Sequence, residues 1–289
     1  MTLASSPIVH HPFQFGLGPL TLTGFGIAVL LSFLIAQIVA ERELAARGRD
    51  VEAAAVSDVL FAALLGTIIG AKLYYVGIVT HDVRDFFSRG GFVFWGGFIG
   101  SVILCALTIR FKKLSFVRFA DVAGIAIAAG YAVGRTGCWA VGDDYGRPYS
   151  GPLAVSFPQG APPSTVGEME RTFHVQFPAG TDPSTVVSVY PTQLIEVVLG
   201  LAIFGVLWRL RNHKHAEGWL FGVWCVLAGI ERFIVEFLRA KDDRFTWAFG
   251  LSMAQLIALG IVIVGVAVMA VRSSTGPDRP GVRQIPVAA

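Results

Sequence analysis

Two arginines of this sequence lie at or inside apolar stretches that are long enough to cross a membrane. Arg135 directly follows an apolar stretch that ends at Gly134, and Arg232 lies within the apolar stretch 217–238. An arginine does not give up its charge, and moving that charge into hydrocarbon costs at least a few kcal/mol, so such residues normally face a polar cavity. Because a guanidinium binds carboxylates and phosphates at two points, the chemistry expected of these arginines is the binding of an anion.

A carboxylate and a further arginine follow Arg232 at helical spacing. Arg232, Glu236 and Arg239 stand at i, i+4 and i+7, which would place them on one face of a helix. One interpretation is a ladder of charges that neutralises itself and stabilises the helix. The other, which we prefer because two arginines and a carboxylate are costly at membrane depth, is the polar wall of a site.

The segment 134–148 combines two arginines, two aspartates and four glycines. Glycines permit backbone bends and leave N–H groups accessible to an anion, while Arg135 and Arg147 can supply phosphate contacts. We therefore expect the transmembrane helix to break within this segment and the loop to bind an anion, with Asp143 and Asp144 beside it. A re-entrant turn whose ion pairs lie at the surface is the alternative.

Residues 190–196 have the composition of a helix start. Pro191 is suited to the first turn and Thr192 to the N-cap. Gln193 and Glu196 are three residues apart and can share a face, so that both would point into the same cavity. Capping does not explain a glutamate one turn inside an apolar span, which favours a functional role for Glu196.

The remaining side chains that could serve a function are Lys72, the histidines and the cysteines. Lys72 either contributes to a site or extends its ammonium group to the membrane interface beside Tyr74 and Tyr75. The six histidines show no metal-ligand spacing within a span, so we expect no metal and no cofactor. The three cysteines do not make a disulfide framework.

The composition predicts the elements that position these residues. The chain has 289 residues, of which 54% are hydrophobic and only 15% are charged, and its mean hydropathy is +0.64. Soluble domains carry about 25% charged residues, so we expect an all-α polytopic membrane protein. Glycine pairs such as Gly66 with Gly70 and Gly96 with Gly100 predict close packing of its helices. Seven spans are predicted, near 24–40, 56–79, 92–110, 117–134, 193–210, 217–238 and 249–271.

The loops between the spans predict an orientation. With the N-terminus outside, the segments on the inside hold most of the 23 lysines and arginines. We therefore expect an N-terminus outside and a C-terminus in the cytoplasm. Residues 1–23 contain no lysine or arginine and lack the basic region of a cleavable signal peptide, so the first span is expected to be retained.

The predicted organisation is a seven-span transmembrane domain over residues 1–272, followed by a disordered cytoplasmic tail, residues 273–289. Residues 135–192 would form an insertion into this domain, an extracytoplasmic head that is rich in proline, glycine, serine and threonine. Because prolines recur there without a long apolar run between them, we expect extended arms joined by turns rather than helices.

Together these motifs resemble those of the prolipoprotein diacylglyceryl transferase family, over about residues 25–239. The resemblance implies an enzyme of the bacterial inner membrane. It would transfer the diacylglyceryl group of phosphatidylglycerol to the thiol of a lipobox cysteine in a prolipoprotein signal peptide, and release glycerol phosphate. The strongest pieces of the similarity are the segments 90–100, 134–148, 190–196 and 232–239, the last followed by Asp242.

The resemblance also implies roles for individual residues. Arg135 and Arg232 match arginines that hold the lipid phosphate, and Gly146 matches the glycine that closes the signature. We assign catalysis to Arg135, Arg232 and Glu236. The predicted substrate-binding residues are Lys72, Trp95, Arg135, Gly146, Arg147, Gln193, Glu196, Arg232 and Arg239.

This chain departs from the family pattern at positions that bear on proton transfer. The family often has a histidine where this chain has Trp95 or Tyr190, so a histidine base is not expected here. The chain is then either an enzyme in which another group accepts the proton or a paralog with altered activity. Further departures are Phe25 and Ala228, where tyrosines are usual, and Cys138 and Val141, where asparagines are usual.

Two ways of activating the thiol remain open. An electropositive site can do it alone, since a thiol of pKa about 8.5 is already partly thiolate near neutrality. Alternatively a carboxylate acts as the base. A lipid-binding paralog without catalysis and a transporter for an anionic solute are the competing functions. The candidate bases are Asp143, Asp144, Glu196 and Glu236.

The same residues predict the shape of the site. Polar groups from separate spans would each be costly if they faced lipid, so we expect them to meet in one cavity. It would be of lipid size and open toward the outer leaflet. Its predicted lining is Arg135, Arg232, Gln193, Glu196 and Glu236.

Overall fold

The computed structural model describes residues 8–17, 20–88, 91, 93–240, 244–245 and 248–274. The predictions made for Asp242, for parts of the segment 90–100 and for most of the tail 273–289 fall outside these ranges.

The described chain is mostly helical, as the apolar composition predicted. The helices are α1 Gly24–Ala46, α2 Asp50–Ala54, α3 Val56–Tyr74, α4 Phe94–Phe111, α5 Phe116–Val141, α6 Val166–Phe173, α7 Thr192–Leu210, α8 Trp219–Val235 and α9 Met253–Val271. A π-helical segment, Tyr75–Thr80, prolongs α3, and a 3-10 helix covers Val83–Phe87. The short strands are β1 Gln14–Leu17, β2 Leu20–Thr23, β3 Val155–Ser156, β4 Ser188–Val189, β5 Arg244–Phe245 and β6 Leu251–Ser252. They pair antiparallel as β1–β2, β3–β4 and β5–β6.

Six helices of the described chain are long and apolar enough to cross a membrane, so the protein is a polytopic membrane protein. They correspond to six of the seven predicted spans. The remaining prediction, 217–238, coincides with α8, which has 17 residues. The six are 24–46, 50–80, 94–111, 116–141, 192–210 and 253–271.

The fourth span, α5, continues past residue 134, where the sequence predicted its end. Because α5 runs to Val141, Arg135 lies within a helix. The helix breaks within the segment 134–148, as predicted, but seven residues after the predicted end of the span. The helix persists there because Gly137 packs closely on α1, where an added Cβ would lie 2.9 Å from the Cβ of Ala28. Gly142, with a φ of +70°, then ends the helix in the left-handed conformation that favours glycine.

The chain divides into two compact units, and the boundaries fall within α1 and α5. Of the described residues, those within 1–36 and 124–275 form one unit, and those within 37–123 form the other. In the second unit α3 packs on α4 through the predicted glycine pairs. A Cβ on Gly66 would lie 2.4 Å from the carbonyl oxygen of Gly100, so only glycine permits this approach.

In the first unit the irregular segment after α5 has its own apolar core. The prediction of extended arms holds for β3 and β4 but is wrong for α6, which is helical. Its residues include no proline, and Val166 and Met169, three apart, bury one face of the helix. The core cluster consists of Tyr145, Val155, Phe157, Val166, Met169, Val187, Val189 and Ala240.

Candidate functional site

Arg135 is the centre of a group of charged side chains in the first unit. Its Nη2 donates to Oε2 of Glu196, and its Nη1 lies 3.0 Å from Oδ2 of Asp144. The same Nη1 lies 3.2 Å from Sγ of Cys138, one turn further along α5. The Arg135 side chain is only 12% exposed, so these contacts compensate a charge that water does not reach freely.

Asp144 joins Arg135 to a second arginine. Its Oδ1 accepts a hydrogen bond from Nη2 of Arg239 at 2.5 Å, while its Oδ2 faces Arg135. Burial raises the pKa of this carboxyl, but the ion pairs with the two arginines outweigh burial and lower the pKa to about 2. Asp144 is therefore charged throughout the physiological pH range.

The start of α7 holds the loop that carries Asp144. The Thr192 hydroxyl donates to the carbonyl oxygen of Asp144 at 2.7 Å, and Nε2 of Gln193 donates to the carbonyl oxygen of Asp143 at 2.5 Å. Pro191 occupies the N-cap position, so the prediction of Thr192 as the cap is wrong by one residue. Its hydroxyl is instead used to fix the loop. Both side chains are fully buried, which makes this attachment rigid.

The end of α8 contributes the remaining charges. Nη2 of Arg232 lies 2.6 Å from Oε2 of Glu236, whose other oxygen accepts from the hydroxyl of Ser252 at 3.0 Å. Ser252 is also the N-cap of α9, with a capping box to Gln255, so the start of α9 positions Glu236. Arg232 and Glu236 thus form the i, i+4 ion pair that the ladder interpretation predicts, while the interpretation as the wall of a site stays a prediction.

Arg239 does not continue that helical face. α8 ends at Val235, and the chain then turns, so the prediction of one shared face is wrong for Arg239. A β-bridge between Gly146 and Arg239 instead brings it beside the loop after α5. From there Nη1 of Arg239 lies 4.0 Å from Glu196 and its Nε lies 3.8 Å from Glu236.

The bridge depends on the absence of a side chain at Gly146. A Cβ there would lie 2.5 Å from the carbonyl oxygen of Leu238 and 2.6 Å from the Cβ of Tyr190. The neighbouring Arg147 pairs through its main chain, since its N–H donates to Leu238 and its carbonyl accepts from Tyr190. Gly146 therefore acts by letting backbones meet, whereas a role for the Arg147 guanidinium in substrate binding stays a prediction.

These contacts form one continuous set, which we call the arginine–carboxylate network. Its positive and negative members alternate and are equal in number, so that the set is neutral. Several of the residues predicted to line a cavity are thus brought together, while the cavity itself stays a prediction. The network runs in the order Arg232, Glu236, Arg239, Asp144, Arg135 and Glu196.

Two residues beside the arginine–carboxylate network, Tyr131 and Glu231, were not predicted from the sequence. The Tyr131 hydroxyl lies 3.1 Å from Oε1 of Glu196 and 3.3 Å from Oε1 of Glu231. The hydroxyl has one proton for two acceptors, so a full hydrogen bond with each requires a proton on one of the carboxyl groups. The signal was present: Tyr131 stands one turn before Arg135, and Glu231 is a carboxylate inside an apolar span.

Asp143 lies beside the network without an ion pair of its own among the described residues. Burial and the neighbouring charge of Asp144 raise the pKa of Asp143 to about 6, against the opposing effects of a hydrogen bond with Cys138 and of the Arg135 charge. Potential metal-ligating atoms of Cys138, Asp143 and Asp144 lie within 4.8 Å of one another. The guanidinium of Arg135 contacts two of these three, however, and already supplies the positive charge that a cation would bring.

Lys72 and Trp95, also predicted to bind substrate, belong to the second unit. Lys72 is buried, and its ammonium donates to the carbonyl oxygen of Ser88 at 2.6 Å. Trp95 is partly exposed and packs edge-on against Phe94. Their part in substrate binding stays a prediction.

Comparison with known proteins agrees with the motifs. Residues 12–271 match the family described as prolipoprotein diacylglyceryl transferase. A phosphatidylglycerol–prolipoprotein diacylglyceryl transferase of Stenotrophomonas maltophilia is 30% identical over 96% of this chain and 96% of its own length. Enzymes of the same name from Paraburkholderia phytofirmans, 31% identical over 89% of this chain and 91% of theirs, and Geobacter sulfurreducens, 29% identical over 92% and 97%, are similarly related. This chain therefore belongs to the prolipoprotein diacylglyceryl transferase family.

Proposed function

We propose that this protein transfers the diacylglyceryl group of phosphatidylglycerol to the thiol of a lipobox cysteine in a prolipoprotein signal peptide. Family membership over nearly the full length supports the reaction class. The observation that carries the proposal is the meeting of Arg135, Arg232 and Arg239, from separate segments, in one arginine–carboxylate network. Such a set suits a phosphate-containing substrate, because each guanidinium offers fixed pairs of donors.

The proposed reaction is a substitution at the glyceryl carbon that carries the phosphate. The sulfur of the substrate cysteine forms a bond to that carbon, the carbon–oxygen bond breaks, and glycerol phosphate leaves with the electron pair. Negative charge grows on the departing phosphate. Arg135, Arg232 and Arg239 are proposed to stabilise this charge, as fixed donors generally do where charge develops in a transition state.

The thiol proton needs an acceptor, and Asp143 is the best candidate. Of the four carboxylates considered as bases, Asp144, Glu196 and Glu236 each form an ion pair with an arginine, so their oxygens are already engaged. Asp143 makes no ion pair among the described residues, and its pKa of about 6 suits proton transfer near neutrality. The proton would pass from the substrate sulfur to the Asp143 carboxylate.

We further propose the membrane arrangement that the loops indicated. It includes α8 as the seventh span, an N-terminus outside, the head 135–192 on the extracytoplasmic side and a cytoplasmic tail 273–289 in a bacterial inner membrane. The residues of the network lie at or just after the end of α5, in the first turns of α7, and at or just after the end of α8. They would then all lie toward the outer leaflet, where the predicted lipid cavity would open.

A second candidate is a paralog that binds the lipid without turning it over. The observation that favours it is that all three arginines of the network are already neutralised by carboxylates. Tyr190 and Trp95 occupy two positions where the family often has histidine, which also favours a protein that binds the lipid without turnover.

Complementation separates the two candidates. A bacterial strain depleted of its own diacylglyceryl transferase is expected to grow when it expresses this chain, and not when it expresses the Arg135→Ala variant at the same membrane level. The lipid-binding candidate predicts no rescue by either, although the purified wild-type protein would still bind phosphatidylglycerol. In vitro transfer to a lipobox peptide, with phosphatidylglycerol as donor, provides the direct readout.

A further inference from the structure

Asp144 differs from the other acidic members of the network in its exposure. Its side chain is 41% exposed, whereas those of Glu196 and Glu236 are 3% and 2% exposed. The two Asp144 oxygens each lie within hydrogen-bonding distance of an arginine, Oδ2 at 3.0 Å from Arg135 and Oδ1 at 2.5 Å from Arg239. Glu196 faces the same two arginines, but its Oε1 lies 4.0 Å from Arg239. A ligand can therefore approach Arg135 and Arg239 from solvent at the position of the Asp144 side chain.

The main chain around Asp144 is fixed although its side chain is accessible. The carbonyl oxygens of Asp143 and Asp144 accept hydrogen bonds from the buried Gln193 and Thr192 side chains, at 2.5 Å and 2.7 Å. The residue itself has a φ of +55°, a left-handed conformation that aspartate tolerates better than most residues. A rotation of the side chain alone would therefore release both arginines without moving the loop.

The shape and charge of this carboxylate match one ligand class. A phosphodiester carries a single negative charge and two non-bridging oxygens, which is what the Asp144 carboxylate presents to the arginines. When the phosphodiester replaces the Asp144 carboxylate, the network stays neutral, because Arg135 retains its ion pair with Glu196 and Arg239 remains near Glu236. A phosphomonoester carries more than one negative charge near neutrality, so the same exchange would leave an excess of negative charge.

We propose that Asp144 occupies the phosphate position of a phosphodiester ligand between Arg135 and Arg239, and that ligand and carboxylate exchange there. The identification of the ligand as phosphatidylglycerol rests on the proposed function. In that case Asp144 is a specificity-determining residue. The Asp144 carboxylate gives way to the singly charged phosphate of the lipid. After the reaction the carboxylate rebinds the two arginines, competes there with the more highly charged glycerol phosphate, and so promotes release of the product.

The test uses the purified full chain in detergent micelles and compares Asp144→Asn with Glu168→Gln. Glu168 is a carboxylate paired with Arg171 on the exposed surface of α6, so its variant controls for the loss of one negative charge. Two quantities are measured: the affinity for phosphatidylglycerol against phosphatidylcholine, and the rise in melting temperature that glycerol phosphate produces. Asp144→Asn is expected to bind phosphatidylglycerol about tenfold more tightly, since a charge-assisted competitor is lost. It should also show a larger thermal shift with glycerol phosphate, and Glu168→Gln should behave as wild type.

Asp144→Gly is the second variant, because glycine accepts the left-handed backbone and removes the side chain altogether. If both variants bind phosphatidylglycerol no more tightly than wild type, or if glycerol phosphate stabilises wild type as strongly as it stabilises them, the proposal is overturned. The proposed function can fail separately. A wild-type protein that transfers no diacylglyceryl group, together with tighter lipid binding by Asp144→Asn, would remove the enzyme assignment and retain the exchange.

Discussion

The α3–α4 interface and the arginine–carboxylate network make close contacts in opposite ways. Between α3 and α4, glycines bring backbone against backbone, as where a Cβ on Gly70 would lie 2.2 Å from the carbonyl oxygen of Gly96. In the arginine–carboxylate network, contact is made by long charged side chains such as Arg135 and Glu196, whose functional groups meet far from their own backbones. The glycine contact has a single fitting arrangement, whereas Arg135 and Arg239 each have several partners that a ligand can replace.

This difference indicates where structure and function lie. A glycine interface is determined by shape and offers nothing for a ligand to bind. A buried set of charges is costly to assemble and rarely stabilises a fold more than apolar packing would, so its presence points to a function. Substitutions in the two regions should therefore affect different measured quantities, protein stability in one and substrate turnover in the other.

The largest effect is expected from Arg135→Ala. Loss of the guanidinium removes contacts to Asp144, Glu196 and Cys138. It also removes one of the donors that are proposed to stabilise the departing phosphate. We expect transfer to a lipobox peptide to fall by at least about 100-fold, as for other preorganised donors. Arg135→Lys should recover little, because an ammonium lacks the two-point geometry.

Arg171→Ala is the matched control for that prediction, since Arg171 pairs with Glu168 on the exposed face of α6. It should retain wild-type transfer and membrane level. Arg232→Ala is expected to resemble Arg135→Ala. Full activity in either variant, at equal protein level, would remove that arginine from the mechanism.

Gly70→Ala tests the other side of the comparison. The added methyl group would overlap the backbone of Gly96, and overpacking of this kind costs about 1–3 kcal/mol. We expect a lower melting temperature and less folded protein in the membrane, with little change in transfer rate per folded molecule. Gly205→Ala in α7, where an added Cβ meets nothing within 4 Å, should be neutral or stabilising. Equal melting temperatures for the two variants would contradict the assignment of Gly70 to close packing.

A smaller, pH-dependent effect is expected from Asp143. Its pKa is raised from 3.8 to about 6, so the folded protein binds more protons than the unfolded chain between these values. Stability should therefore fall as pH rises through this window, while transfer should increase as the carboxylate base forms. Asp143→Asn should slow transfer and abolish the rise near pH 6 without weakening lipid binding. A rise in rate that survives in Asp143→Asn would assign the base to another group.

The sequence predicted the spans well because a bilayer imposes a local requirement, a long apolar stretch, that each segment meets by itself. It did not predict that α5 continues past residue 134, because the helix packs there through Gly137 against Ala28 of another helix. The pairing of Asp144 with Arg239 was equally inaccessible. Both residues lie in turns 95 positions apart in sequence, and a bridge at Gly146 brings them together.

The arginines themselves were identified because a permanent charge next to an apolar stretch stands out without any tertiary information. Their partners were harder to assign. Glu196 was selected for its position inside a span, whereas Glu231 was overlooked beside Arg232, since adjacent helical residues point in different directions and its partner Tyr131 lies on another helix.

The smallest effect is expected at Glu231, and it tests whether the network extends to a proton. If the Tyr131 hydroxyl donates to Glu196, its contact with Glu231 requires a proton on the Glu231 carboxyl. Glutamine offers an N–H at the same place, so Glu231→Gln should alter stability and transfer by about 1 kcal/mol or less, whereas Glu231→Leu leaves the Tyr131 oxygen without its donor and should cost more. Melting temperature and transfer rate across the pH range would be measured for both variants. A collapse of transfer in Glu231→Gln, with normal melting and an altered pH profile, would mean that Glu231 moves a proton during the reaction and that the functional region reaches beyond the arginine–carboxylate network.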